Sequence, residues 1–67
     1  MSYRYEWVRT SSTLFEWKEC KSLEEAIGNA AAHISNGDGF PLKVLHDGKT
    51  VLDSQQLRTE AKTKFGV

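Results

Sequence analysis

A two-residue β-hairpin is predicted at residues 41–53, which have the sequence PLKVLHDGKTVLD. Asp47 and Gly48 form its centre. A type I′ turn needs positive φ at both central residues, which Asp tolerates and Gly adopts freely. The flanking runs contain the β-branched and aliphatic residues that favour strands. The pattern therefore specifies both the turn and the position at which two strands pair.

The turn also predicts which side chains share a face of this hairpin. With two residues in the turn, Val44 lies opposite Val51 on one face, while Leu45 and Leu52 point to the other. Both faces are therefore partly apolar. Since one helix covers only one face, we expect a second layer over Leu45 and Leu52, from this chain or from another copy.

A second strand pair is predicted near the N-terminus, where aromatic and polar residues alternate with period two. Its five aromatic residues are Tyr3, Tyr5, Trp7, Phe15 and Trp17. A loop with an odd number of residues places Trp7 opposite Phe15 and Tyr5 opposite Trp17. We expect this register because it gathers four of the rings on one face.

Two helices are predicted from capping signals and from the spacing of apolar residues. Ser22 and Glu25 form a capping box at the start of the first helix, and the Asn36-Gly37 pair ends it. Asp53 and Gln56 form the same signal for the second helix. The apolar stripe of the first helix is Leu23, Ala26, Ile27, Ala30, Ala31 and Ile34, and that of the second is Leu57, Ala61 and Phe65.

The predicted element order is ββαββα, without a linker or a repeat, in one α+β domain over residues 1–67. We expect a four-stranded antiparallel sheet with the first helix packed on one face. The second helix is expected at an edge of the sheet, on its other face, or across a subunit boundary.

Three motifs occur within residues 5–53: an aromatic strand pair ending in Trp17, the helix start Ser-Leu-Glu-Glu-Ala-Ile at residues 22–27, and an Asp-Gly hairpin at residues 42–49. On these motifs the chain resembles a bacterial family of small ββαββ-type proteins of unknown function. The resemblance implies the order of the elements in this stretch. It implies no catalytic residue.

Length limits how this chain is stabilised. A domain of 67 residues buries only about 60% of the surface that its unfolded chain exposes, so disulfides, metals or partner subunits commonly add stability. Cys20 is the single cysteine, and with His33 and His46 it matches no metal-ligand spacing. We therefore predict no metal, no cofactor and no catalytic residue, and we expect self-association instead.

Charge and hydropathy restrict the partners. There is no signal-peptide pattern and no apolar run of about 20 residues, so we expect a soluble, cytoplasmic protein without a membrane partner. Nine basic and nine acidic residues give a formal net charge of zero. This balance disfavours a dedicated nucleic-acid binder, which normally carries a basic excess.

Two functions are predicted. The first is a non-enzymatic protein-interaction module, a homodimer or a complex with another protein, because one Ala-rich helix cannot cover all the aromatic rings. Its expected interface residues are Trp7, Leu45, Leu52, Leu57 and Phe65. The alternative is a small regulatory nucleic-acid-associated protein that uses a basic C-terminal helix. The expected contacts in that case are Arg58, Lys62 and Lys64.

Overall fold

The computed structural model describes residues 2–11 and 14–67, and it contains four strands and two helices. The elements are β1 (Tyr3–Arg9), β2 (Phe15–Cys20), α1 (Leu23–Asn36), β3 (Gly39–His46), β4 (Lys49–Leu52) and α2 (Ser54–Phe65). The strands form one antiparallel sheet in the order β2-β1-β3-β4. The predicted α+β class and the four-stranded antiparallel sheet are confirmed, with the elements in the predicted order.

The Asp47-Gly48 turn connects β3 and β4 as predicted. Asp47 has a φ of 53° and Gly48 a φ of 78°, which fits the positive values that a type I′ turn requires. His46 and Lys49 face each other on either side of the turn. The local signal in the sequence was therefore sufficient to place this connection.

A bulge follows the turn and changes the faces of the hairpin. Leu45 faces Thr50, but the next residue, Val44, faces Leu52. Val51 is therefore the extra residue of a β-bulge. The predicted pairing of Val44 with Val51 is wrong, and so is the prediction that Leu52 shares a face with Leu45. Leu52 instead packs against the core.

The first hairpin also has a different register from the predicted one. Trp7 lies opposite Glu16 and not opposite Phe15, and the same one-residue offset separates Tyr5 from Trp17. The prediction of four aromatic rings on one face is therefore wrong. Tyr5 and Trp7 are buried against α1, and the other two rings lie on the opposite face because side chains alternate along a strand.

One core lies between the sheet and the two helices. Its residues are Tyr5, Trp7, Cys20 and Val44 from the strands and Ala26, Ile27, Ala30, Ala31, Leu57 and Ala61 from the helices. Helix α1 contacts β1, β2 and β3, and α2 contacts α1, β3 and β4. The two helices thus lie side by side on one face of the sheet, a placement of α2 that the sequence reasoning did not include. No described element covers the opposite face.

Both helices begin at the predicted caps. The hydroxyl of Ser22 accepts from the amide of Glu25 at 3.1 Å. The amide of Gln56 donates to Oδ1 of Asp53 at 2.8 Å, and the amide of Asp53 donates to Oε1 of Gln56 at 3.0 Å. Each bond satisfies an amide that lacks a partner within the helix, so these short side chains determine where the helices start.

A ring stack joins β1 to α1. The ring centroid of His33 lies 5.6 Å from that of Tyr5 and 4.7 Å from that of Trp7. The hydroxyl of Tyr5 is 2.8 Å from Nδ1 of His33. A Cβ atom at Gly39 would lie 3.0 Å from the Trp7 ring and 3.1 Å from the His33 ring, so the start of β3 passes directly beside the stack. A larger residue there would need these rings to shift by a few tenths of an ångström.

Candidate protein-interaction surface

The uncovered side of the sheet is named the open face. By the strand register, its residues are Arg4, Glu6, Val8, Phe15, Trp17, Glu19, Phe40, Lys43 and Leu45. Trp17 is 48% exposed and Phe15 is 54% exposed, and Leu14, just before β2, is 59% exposed. Phe15 and Trp17 project to the same side of the sheet, whereas Leu14, opposite Arg9, has the register of the other side. The rings of Phe15 and Trp17 therefore form an exposed aromatic strip on the open face.

Charged side chains occupy the middle of the open face. Glu6 is only 5% exposed, and its carboxylate lies 3.2 Å from Nε of Arg4 and 3.9 Å from Nζ of Lys43. The guanidinium of Arg4 also lies over the ring of Trp17, with its Cζ 4.0 Å from the ring centroid, the arrangement of a cation–π contact. Glu6 is therefore compensated by two cations, one of which holds the Trp17 ring in place.

A shallow groove of about 450 Å³ runs along the open face. Its lining residues are Ser2, Arg4, Trp17, Glu19, Leu45, Asp47 and Gly48. The lining combines two apolar side chains with charges of both signs. Such a surface suits contact with another polypeptide, because protein interfaces combine an apolar centre with a polar rim.

Strand β2 forms one edge of the sheet. The amide of Arg9 donates to the carbonyl of Leu14 at 2.9 Å, and hydrogen-bonded pairs alternate with non-bonded pairs along an antiparallel ladder. The even-numbered residues of β2 therefore bond to β1. The backbone N–H and C=O groups of Phe15, Trp17 and Glu19 point away from the sheet, and no hydrogen bond from a described residue occupies them.

The other sheet edge is less accessible. Strand β4 has four residues, against six in β2, and α2 contacts it. Of the two edge strands, β2 thus has the longer run of free backbone groups. An unpaired edge of this kind is a template for pairing with another strand.

The five predicted interface residues do not form one surface. Trp7 and Leu57 are buried in the core of the single chain, and Leu52 packs against that core. Leu45 lies on the open face and lines the groove. Phe65 is 51% exposed at the end of α2, on the other side of the sheet. Leu45 is therefore the member of this set that lines the same groove as Trp17.

Sequence reasoning missed the aromatic strip of Phe15 and Trp17. The predicted register places these two residues on the same face as Tyr5 and Trp7, because it requires an odd loop. Four residues separate the paired Arg9 and Leu14, and that even number turns the rings outward. No residue type in the loop indicates whether its length is odd or even. An estimate of how many aromatic side chains fit beneath α1 was the one usable signal.

The predicted nucleic-acid contacts are exposed on α2. Arg58, Lys62 and Lys64 all lie on the helix surface, with Glu60 4.0 Å from Nζ of Lys64. The guanidinium of Arg58 is 5.9 Å from the half-exposed ring of Phe40. The exposed rings of β2, however, lie on the opposite face of the sheet. The basic helix and the aromatic strip therefore do not form a joint surface.

Cys20 is buried at the end of β2. Burial raises the pKa of its thiol, and the nearby carboxylate of Glu25 raises it further. The thiol therefore stays protonated at neutral pH, whereas a nucleophilic cysteine needs the thiolate. Among residues 2–11 and 14–67, no group of three or more His, Cys, Asp or Glu side chains is arranged to hold a metal ion.

Searches of protein-family models, of curated proteins and of solved structures found no match to this chain. The resemblance of residues 5–53 to a bacterial family therefore stays a prediction. Neither α1 nor α2, the helices of the described residues, has the length and apolar character needed to cross a bilayer. The function is accordingly inferred from the geometry of the sheet.

Proposed function

We propose that this protein is a non-enzymatic protein-interaction module that self-associates through β2 and the adjoining open face. One observation carries the proposal: the aromatic strip of Phe15 and Trp17 lies half exposed beside an unpaired strand edge. Small proteins normally protect both features, because each promotes contact with another chain. Their occurrence side by side favours an interface at this position.

The exposed rings supply a substantial driving force. A fully buried aromatic side chain removes about 150–250 Å² from water, so each half-exposed ring has about 100 Å² left to bury. Two rings from each of two chains give about 400 Å², or about 10 kcal/mol at 25 cal/mol per Å². The entropic cost of association is of the same order, about 4–15 kcal/mol. We therefore expect a reversible, concentration-dependent dimer.

Sedimentation velocity over the micromolar range tests this proposal. The wild-type chain should shift from monomer to dimer as its concentration rises, and its melting temperature should rise with it. Trp17→Ser should weaken the dimer about tenfold or more, since an aromatic anchor of an interface typically costs above about 1.4 kcal/mol when removed.

Phe65→Ser is the matched control, because Phe65 is equally exposed but lies on α2. This variant should leave the dimer unchanged. A wild-type chain that stays monomeric at high micromolar concentration, with a melting temperature independent of dilution, would refute the proposed function.

A second candidate is a small regulatory nucleic-acid-associated protein that uses Arg58, Lys62 and Lys64. The exposed Phe40 ring beside Arg58 favours it, because single-stranded nucleic acids bind by stacking and by phosphate contact. The zero net charge disfavours it. Fluorescence anisotropy with generic RNA and DNA at low salt separates the candidates, since electrostatic affinity is then greatest; absence of binding there excludes this function.

A further inference from the structure

We propose that two copies of the chain pair edge to edge through β2, antiparallel, about a two-fold axis that passes beside Trp17. The two sheets then become one continuous sheet. The inference rests on the proposed self-association and adds the partner strand, its direction and its register. Three independent features of β2 lead to it: the free backbone groups, the order of its charges, and the side on which its rings lie.

The backbone of β2 is compatible with a second copy of itself. Phe15, Trp17 and Glu19 direct their N–H and C=O groups outward. In an antiparallel pair centred on Trp17, this residue faces Trp17 of the partner subunit, and Phe15 faces Glu19 of the partner subunit. Each of these pairs exchanges two N–H···O=C bonds, so all the outward groups of these residues are satisfied.

The charges of β2 select this register. With Trp17 at the centre, Glu16 faces Lys18 of the partner subunit, and the two-fold axis repeats the contact. The neighbouring registers that also match the backbone are centred on Glu16 or on Lys18, and each places a charge opposite its own copy. Opposite charges directly across a ladder are favourable and like charges are unfavourable. The alternating order of charges in Glu16-Trp17-Lys18 is therefore self-complementary.

Both charged groups are accessible for this contact. Lys18 is exposed and forms no ion pair with a described residue. The carboxylate of Glu16 already binds Arg9, and the Glu16 side chain remains partly exposed. A carboxylate accepts several donors. Lys18 of the partner subunit would thus complete a three-residue charge cluster at each end of the short interface.

The rings of β2 complete the interface on the open face. Trp17 lies next to Trp17 of the partner subunit, because directly opposite residues of a ladder project to the same side. Their Cβ atoms are then about 5.5 Å apart, which allows the rings to pack on each other. This packing would cover the half-exposed rings that the helices of the single chain leave bare.

Charge reversal tests the register. Lys18→Glu and Glu16→Lys each place like charges in both cross-strand contacts, so each variant alone should dimerise about tenfold more weakly than wild type. When the two variants are mixed, every Lys faces a Glu, and a heterodimer of near wild-type affinity should appear in native mass spectrometry. Lys49→Glu, an exposed reversal on β4, should have no effect.

Proline substitution tests the backbone bonds. Glu19→Pro removes an N–H that points outward and costs no bond to β1, so circular dichroism should show an intact fold while the dimer is lost. Glu19→Ala is the matched control, because it removes the same carboxylate and the same bond from Ser2 but keeps the N–H. The alanine variant should dimerise like wild type.

The outcomes separate this inference from the proposed function. Dimers that depend on Trp17 but ignore the charge reversals and Glu19→Pro would overturn the β2 pairing and leave self-association intact. A wild-type chain that remains monomeric at all concentrations would overturn both. Restoration of the dimer only in the mixture of the two charge variants would establish the antiparallel register.

Discussion

Tyr5→Phe isolates one buried hydrogen bond in the core. The side chain of Tyr5 is fully buried, and its hydroxyl lies 2.8 Å from Nδ1 of His33. Burial raises the pKa of Tyr5 well above its ordinary value and lowers the pKa of His33. At neutral pH both groups are therefore uncharged, and the tautomer of His33 determines which of them donates. The substitution removes the hydroxyl and keeps the ring that stacks on Trp7 at 5.0 Å.

The expected loss of stability is about 1–2 kcal/mol. A hydrogen bond contributes about 0.5–1.5 kcal/mol net, and a buried polar group left without its partner costs about 1–3 kcal/mol. The His33 ring is only partly buried, so water replaces some of the lost bond and the lower part of the combined range applies. In a domain of this length, each kcal/mol corresponds to about 4–8 °C in melting temperature.

Urea and thermal unfolding at neutral pH measure this difference, with far-UV circular dichroism and Trp fluorescence as probes. Tyr3→Phe is the control, because the hydroxyl of Tyr3 makes no hydrogen bond to a described residue although its ring stacks on His46. A double-mutant cycle with His33→Ala isolates the coupling. A Tyr5→Phe variant as stable as wild type, or one whose effect adds independently to that of His33→Ala, would refute the assigned bond.

Three further outcomes are expected. Burial lowers the pKa of His33, so the unfolded chain binds a proton more readily than the folded chain. The free energy of unfolding should therefore fall as the pH drops below about 6.5. Urea titrations from neutral to acidic pH should show this fall, and His33→Gln should reduce it. Asp53→Ala should cost about 1 kcal/mol in thermal melts by removing the cap of α2, whereas Asp53→Asn should cost much less. Leu57→Ala should cost about 2–5 kcal/mol in urea because the side chain is fully buried, against under about 1 kcal/mol for Leu45→Ala on the open face.

The features that were predictable from the sequence depend on neighbouring residues. The Asp47-Gly48 turn follows from the backbone freedom of two residues, and the helix starts at Ser22 and Asp53 follow from side-chain oxygens three residues before the amides they bind. In each case, the residues that determine the feature lie within a stretch of four. Local chemistry therefore gave the elements and their order correctly.

The features that were not predictable depend on packing across the whole chain. The loop after Arg9 has an even number of residues, and Val51 forms a bulge, yet neither has a distinctive residue pattern. Both changes reverse which side chains face the helices. As a result, Leu52 packs against the core and Trp17 is exposed, contrary to the predicted faces. The candidate surface was missed for this reason. A shift of one residue in the strand register moves its side chains to the other face of the sheet.

The bulge at Val51 leaves the second hairpin one residue longer than a regular ladder requires. Deleting Val51 would make the ladder regular and leave Val44 opposite Leu52, without disturbing the turn or the Asp53 cap. Inserting a residue at the same place would move Leu52 away from the core. Homologous chains should therefore tolerate shortening between the turn and α2 far better than lengthening, so insertions and deletions at this position should accumulate unequally during evolution.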